Sequence, residues 1–451
     1  MSALYDSKTK TMEDYGIRTL LTEDNKFQSW LELEAKLAMA QGESGVIPAS
    51  AAKDIVDTCH LKNIDIAEVK RLQMEIGHGF VPFIKVLINA CPRQSGKYVH
   101  YGVTTQNIQQ SAQLLVVKKV HEKFRVVIKD ILMNLSLIAA EEATTVVSGR
   151  THGRHAIPVT YGYKVAVWIE EFLTTLERME QCEPRVCTVM MGGAVGAFNS
   201  SGENGRNVQR RVAELLDMHE MRVPSRNIAT HKIEYVQVLC LLASCCHKIA
   251  EEVYSTTLEE IGEVMEGFKK GTVGSSTMPH KVNPKLAKGI IANAQKLYSL
   301  PAIMLYSCSR PYEADSSSYM LQDATLHEAL ELMTEIILRT EELTRTLHIN
   351  RARMLHNAEL NNGMDNSEYI MMMLAKKMGK DKAHSKIYSL TMESMSTQTP
   401  FIETLIADEV ISDFFSRAEL EEMLKPENYT GLSSTIAKES ADIVHRLFGK
   451  K

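Results

Sequence analysis

Three long stretches of this 451-residue chain, 93–157, 225–278 and 312–399, contain no proline. Inside a helix proline removes a backbone donor and collides with the preceding turn, at a cost of about 3 kcal/mol. Stretches that avoid it for so long permit helices well beyond average length. In the second, Leu242, Cys245, Cys246, Ile249, Val253, Ile261 and Val264 fall largely at spacings of three and four, the period of an apolar helix stripe. Leu332, Ile336, Leu343 and Leu347 repeat the pattern in the third. Alternation of period two is nowhere sustained, so the chain reads as all-α.

Near the start, Thr22 is placed to cap a helix whose first turn holds Glu23 and Asp24, with Phe27, Trp30, Leu31 and Leu37 on its buried face. Gly42 and Gly45 predict that it ends before them. The expected organisation is an N-terminal helical domain over 1–95, a central long-helix bundle over 96–350 and a C-terminal helical domain over 351–451. Bundles with broad apolar faces commonly pair with copies of themselves.

The net charge of -5 gives no support to a nucleic-acid partner, which would call for a basic excess or stripe. Eight cysteines, at 59, 91, 182, 187, 240, 245, 246 and 308, form no CxxC pair, and no signal sequence opens the chain. No uninterrupted apolar run approaches the roughly 20 residues of a membrane span. A soluble protein of a reducing, cytoplasmic compartment is expected, without a membrane partner.

Three polar, loop-forming segments interrupt the helices. The first runs from His100 through Tyr101, Gly102 and Val103 to Thr104, Thr105, Gln106 and Asn107. Threonine and asparagine favour helix caps and turns, so capping of the next helix stands beside a binding role. The second, Ser148 to Pro158, contains Thr151, His152 and His155. A catalytic zinc would need a third protein ligand that the nearby sequence does not supply, so metal is not expected. The third is Gly274-Ser275-Ser276-Thr277-Met278-Pro279-His280-Lys281-Val282-Asn283-Pro284. A loop opened by glycine and closed by prolines can offer backbone N–H groups, the Lys281 ammonium and the Asn283 amide to a carboxylate. His78, between Gly77 and Gly79, is open to both a capping and a site role.

The third segment resembles the mobile loop of the fumarase/aspartase superfamily, G-S-S-x-M-P-x-K-x-N-P, at all fixed positions, Met278 included. The resemblance implies a many-helix tetramer core, active sites shared between subunits, a dicarboxylate substrate, and no metal or cofactor. Ser275 then stands where the family has its catalytic base, with Ser276 its neighbouring rival, and Lys281 and Asn283 on the substrate. Gly149 to His155 resembles the family's T-H motif, which implies Thr151 on the substrate and His152 as proton donor to the leaving group. By the same resemblance Thr104, Thr105 and Gln106 bind carboxylates, and His78 resembles a histidine of the adenylosuccinate lyase branch.

Residues 22–48 and Gly149 to His155 resemble adenylosuccinate lyases, Gly192 to Gly196 is shared with the 3-carboxy-cis,cis-muconate cycloisomerases, and Gly102 to Asn107 leans toward the latter. Departures bear on the substrate. Asp14-Tyr15 stands where adenylosuccinate lyases carry Arg-Tyr, Ser316-Ser317-Ser318-Tyr319 lacks the arginine of their S-S-x-E-R segment, and Lys288 replaces a glutamate that follows the loop in many relatives. The expected activity is trans β-elimination of fumarate from a succinyl-amine. A cycloisomerase-type enzyme, or a lyase on a small succinate derivative, is the alternative, and a catalytically silent structural relative is a third reading.

Overall fold

The computed structural model describes residues 12–267 and 275–449. Thr22 caps the first long helix, α1 (Glu23–Glu43), by accepting from the Asn25 amide at 3.2 Å. Phe27, Trp30, Leu31 and Leu37 lie on its buried face as the periodicity predicts. The Phe27, Trp30, Phe80 and Phe83 rings pack together with centroids 4.9–6.1 Å apart, mostly edge to face. The helix does not stop before Gly42 but runs through it to Glu43. A Cβ at Gly42 would lie 2.5 Å from the Ala52 Cβ, so this glycine serves close helix packing and the left-handed Gly45 follows the helix end.

The three proline-free stretches hold α2 (Thr105–Glu141), α4 (Thr230–Thr256) and α6 (Ser316–Thr346), while α3 (Tyr161–Val186), which runs through Pro184, and α5 (Lys285–Leu297) lie between them. The stripe on α4 is shorter than its spacing suggests. Leu242 to Val253 are buried on the helix, but it ends at Thr256, before Ile261 and Val264. A turn closed by left-handed Gly262 redirects the chain there. By length and composition α4 could cross a membrane, yet 61% of its most apolar window is buried inside the protein, which makes it a core helix. Leu332, Ile336 and Leu343 are buried on α6, and Leu347 lies just past its end.

Strands are few among the described residues: β1 (Val146–Thr151) with β2 (Arg154–Thr160), β3 (Thr188–Val189) with β4 (His219–Glu220), and β5 (Val264–Met265) with β6 (His348–Ile349). The fold is all-α. Its contacts divide into two compact units. One comprises residues up to Val127, Thr174–Ser244 and Gly289–Leu338; the other comprises Ile128–Leu173, Cys245–Lys288 and residues from Arg339 onward. Within the second unit, Ile370, Leu374, Ile387, Phe401, Leu405, Ile411 and Leu420 centre a separate apolar cluster.

Candidate active site

In the first unit the segment His100–Asn107 is held from two sides. Two buried side chains of α1 grip its start: Glu34 contacts His100 Nδ1 at 2.6 Å, and Gln41 Nε2 donates to the Tyr101 carbonyl at 2.7 Å. His100 and Gly102 adopt left-handed backbone, unusual for a histidine and a cost that the Glu34 contact offsets. At the other end Asn107 Oδ1 accepts from the amides of Thr104 and Gly193, each at 3.0 Å. One carboxamide oxygen thus ties the polar segment to the small-residue turn beginning at Gly192. Thr104 and Thr105 are half-buried at the start of α2. Gln106 is buried and engaged with Gln109 at 3.0 Å and Gln110 at 3.2 Å. His78 caps a helix: its Nδ1 accepts from the Phe80 and Val81 amides at 3.1 and 3.0 Å. The ring is exposed, and its protonated nitrogen is then Nε2.

In the second unit the T-H segment is a β-hairpin rather than an irregular break between helices. β1 and β2 pair antiparallel, with Thr151 opposite Arg154 and His152-Gly153 as the two-residue turn. Both turn residues have positive φ, 53° and 74°, the conformation that matches the twist of hairpin strands. Gly fits that turn without strain; His does not, and a strained non-glycine residue at a polar loop tip points to function. Thr151 and His152 are exposed. A bulge sits between Ser148 and Arg150, where a Cβ on Gly149 would come within 2.4 Å of the Ile157 carbonyl oxygen.

Arg150 anchors this hairpin. Its two terminal nitrogens donate to the Glu263 carboxylate at 2.9 and 2.5 Å, and Asn357 Nδ2 donates to the same carboxylate at 2.9 Å. Nearby, His155 Nδ1 lies 3.3 Å from Ser148 Oγ and 3.7 Å from Asp365, whose carboxyl is pushed up by burial against the opposing pull of Asn361 and His155.

Ser275 lies in the same unit, half-buried. Its Oγ accepts from the amides of Thr277 at 3.4 Å and Met278 at 3.1 Å. N–H groups aimed at a hydroxyl oxygen favour its alkoxide, which a serine base requires. Ser276, Met278 and Lys281 are exposed, Asn283 is half-buried, and Gly274 lies outside the described residues. Past the loop, the Glu266 carboxylate accepts from the amides of Leu286 at 2.9 Å and Ala287 at 2.6 Å.

Residues that the sequence did not single out therefore hold the site segments: Glu34, Asn107, Arg150, Glu263 and Glu266. Glu263 and Glu266 lie three residues apart shortly before the loop, the one signal that sequence could have offered. The predicted residues fall into two groups. Thr151, His152, Ser275, Ser276, Met278, Lys281 and Asn283 belong to one unit; His78, Thr104, Thr105 and Gln106 belong to the other.

Comparison with known proteins shows what the chain is similar to. The family model described as lyase matches residues 10–296, and that of the adenylosuccinate lyase C-terminus matches 363–440. N-acetyl-S-(2-succino)cysteine lyase of Enterococcus italicus is 33% identical over 92% of this chain and 91% of its own length. Adenylosuccinate lyase of Methanocaldococcus jannaschii is 32% identical over 96% of this chain and 94% of its own. The 3-carboxy-cis,cis-muconate lactonizing enzyme from Pseudomonas putida shares the fold with a TM-score of 0.88 at 24% identity, covering 96% of this chain and 98% of that one. With the loop, the hairpin and the helical scaffold in place, these matches identify the chain as a lyase of the fumarase/aspartase superfamily, in the branch of the adenylosuccinate lyases and carboxymuconate cycloisomerases.

Proposed function

We propose that this lyase releases fumarate by trans β-elimination from a succinyl-bearing substrate, with Ser275 as base and His152 as acid. Ser275 takes a proton from the methylene carbon next to one carboxylate. The electron pair enters that carboxylate as an aci form, then returns to make the double bond and expel the leaving atom, which His152 protonates from the opposite face. Stabilising the aci form more than the ground state is the catalytic task. Lys281, Asn283 and the N–H groups of the loop are suited to it, and the His152 imidazole is suited to deliver a proton to the departing atom. Thr104, Thr105, Gln106 and Thr151 would bind carboxylates, Ser276 and Met278 would line the site, and His78 would use its Nε2. The observation that carries the proposal is the pair of backbone N–H groups on Ser275 Oγ.

Sites shared within a homotetramer are part of the same proposal. Exposed apolar side chains on the long helices, among them Val126, Leu137, Val167, Leu241 and Tyr254, support association with further copies. A cytoplasmic setting and elimination without metal or cofactor complete it.

For the leaving group, the match at 363–440 and the archaeal relative support an amine, as in adenylosuccinate. A second reading, a small succinyl thioether without phosphate, is favoured by Asp315. Its carboxylate accepts from Ser317 Oγ at 2.7 Å and from the Ser318 amide and hydroxyl at 3.0 and 2.7 Å, which hold it well below the usual carboxylate range. A fixed negative charge thus stands beside the segment that lacks the S-S-x-E-R arginine, and a phosphate dianion would meet it instead of a guanidinium. Purified enzyme supplied separately with adenylosuccinate, N-acetyl-S-(2-succino)cysteine and carboxymuconate, followed by fumarate or lactone absorbance, tests both forms. Release of fumarate from either succinyl compound supports elimination; lactone formation alone supports the cycloisomerase alternative, and no turnover of any of them supports the silent relative.

A further inference from the structure

Glu266, which precedes the Ser275 loop in sequence, accepts from two amides of the helix that follows the loop, and we propose that it is a positioning residue for that serine, an inference that rests on the function proposed above. The carboxylate is 6% exposed. Its two oxygens divide the work: Oε2 accepts from Leu286 N and Oε1 from Ala287 N. These amides belong to the first turn of α5, where N–H groups have no partner within the helix and a negative charge gains from the helix dipole.

The segment that presents Glu266 is itself fixed. β5 pairs with β6 through Val264–Ile349 and Met265–His348. Glu263 N donates to the Thr256 carbonyl at 3.0 Å, and Asn350 N donates to the Glu263 carbonyl at 2.9 Å. Directly after Glu266, a Cβ on Gly267 would fall 2.4 Å from the Thr346 Cβ, so the backbone there lies flush against the end of α6. One buried carboxylate therefore joins an anchored strand that precedes Ser275 in sequence to the start of α5, the helix that follows it. Fixing both ends narrows the positions open to Ser275 Oγ, and a displacement of about 1 Å at a reacting group can cost about 100-fold in rate.

The two-oxygen geometry makes the proposal separable from burial alone. Glu266→Gln keeps the size but offers one acceptor oxygen and turns an NH2 group toward the second amide. Glu266→Asp keeps charge and both oxygens on a shorter stem. Three readouts are taken on the full-length enzyme: hydrogen exchange of peptides spanning 285–290, steady-state kinetics with whichever of N-acetyl-S-(2-succino)cysteine and adenylosuccinate the wild type cleaves, and the isotope effect with substrate deuterated at the abstracted hydrogen. For Glu266→Gln, exchange at Leu286 and Ala287 is expected to rise about tenfold, as loss of a local hydrogen bond requires. Turnover should fall by about 100-fold, KM should stay within about threefold and the isotope effect should grow, with Glu266→Asp recovering part of the turnover. Raised exchange with unchanged turnover and isotope effect overturns the positioning role. So does a fall in turnover that tracks a lower melting temperature in both variants. If the wild type cleaves neither compound, the proposed function fails separately; exchange still decides the clamp, supported by a rise confined to the start of α5 and overturned by its absence.

Discussion

Arg150 and Glu263 meet across 113 residues of sequence, the guanidinium donating from both terminal nitrogens to one buried carboxylate. The hairpin whose turn is His152 is thereby fixed to the segment from which the Ser275 loop departs. Removing one partner of a buried pair leaves the other charge uncompensated, typically at a cost of roughly 3–5 kcal/mol. Glu263→Ala is expected to lower the unfolding free energy by an amount of that order. Arg150→Lys keeps the charge but not the two-pronged geometry and should lose less. Urea unfolding of the two variants checks this; equal stability to wild type would show that the pair does not secure the hairpin.

Asn107 ties the His100–Asn107 segment to the turn at Gly192 through a single oxygen. Asn107→Leu removes the acceptor for Thr104 N and Gly193 N and is expected to raise the KM for a succinyl substrate by about 30-fold, at about 1 kcal/mol for each of the two lost hydrogen bonds. Asn107→Asp preserves both bonds, and its KM should stay close to wild type. Unchanged KM in the leucine variant would contradict the role.

Asp315 is the proposed discriminator between the two candidate substrate classes. Replacing it with serine removes the fixed negative charge beside Ser317 and Ser318. The KM for a phosphate-bearing succinyl substrate is expected to fall severalfold, with that for a phosphate-free thioether little changed. An equal effect on both, measured by competition between the two substrates, would separate Asp315 from phosphate discrimination.

The buried His121 and the half-buried His231 set an acid limit on the fold. Burial, reinforced by neighbouring cations, pushes His121 down to about 4 and His231 down to about 3. An unfolded histidine titrates near 6.5, so below that pH the unfolded chain binds protons that the folded chain refuses. Their stability is fully present above about pH 6.5 and is lost as pH falls toward 4 and 3. His121 packs against Tyr235 with ring centroids 5.9 Å apart. His121→Phe should flatten the decline in stability between pH 6.5 and 4 by up to about 3 kcal/mol, read from urea midpoints across that range. An unchanged slope would contradict it.

The long helices were legible because absent prolines and a 3.6-residue stripe are local signals. So was the Ser275 loop, whose serines, lysine and asparagine lie within ten positions. The β1–β2 hairpin was not, since Gly149, the bulge beside it and Pro158 interrupt the alternation of so short a strand pair. Nor were the anchors. Glu263 acts on Arg150 and Glu266 on Leu286 and Ala287, and a lone glutamate looks like any solvated acid until its distant partner is in place. Gly42 misled for a related reason: it reads as a helix stop, but its missing side chain makes room for Ala52.

The proposed reaction turns on the Ser275 hydroxyl, and fumarate release by Ser275→Ala beside wild type tests it most directly. With a succinyl substrate that the wild type cleaves, the variant should bind nearly as well, judged by its dissociation constant, while its turnover drops by about 10²–10⁴-fold, the usual weight of proton transfer by a positioned group. Turnover close to wild type would contradict the assignment of Ser275 as base.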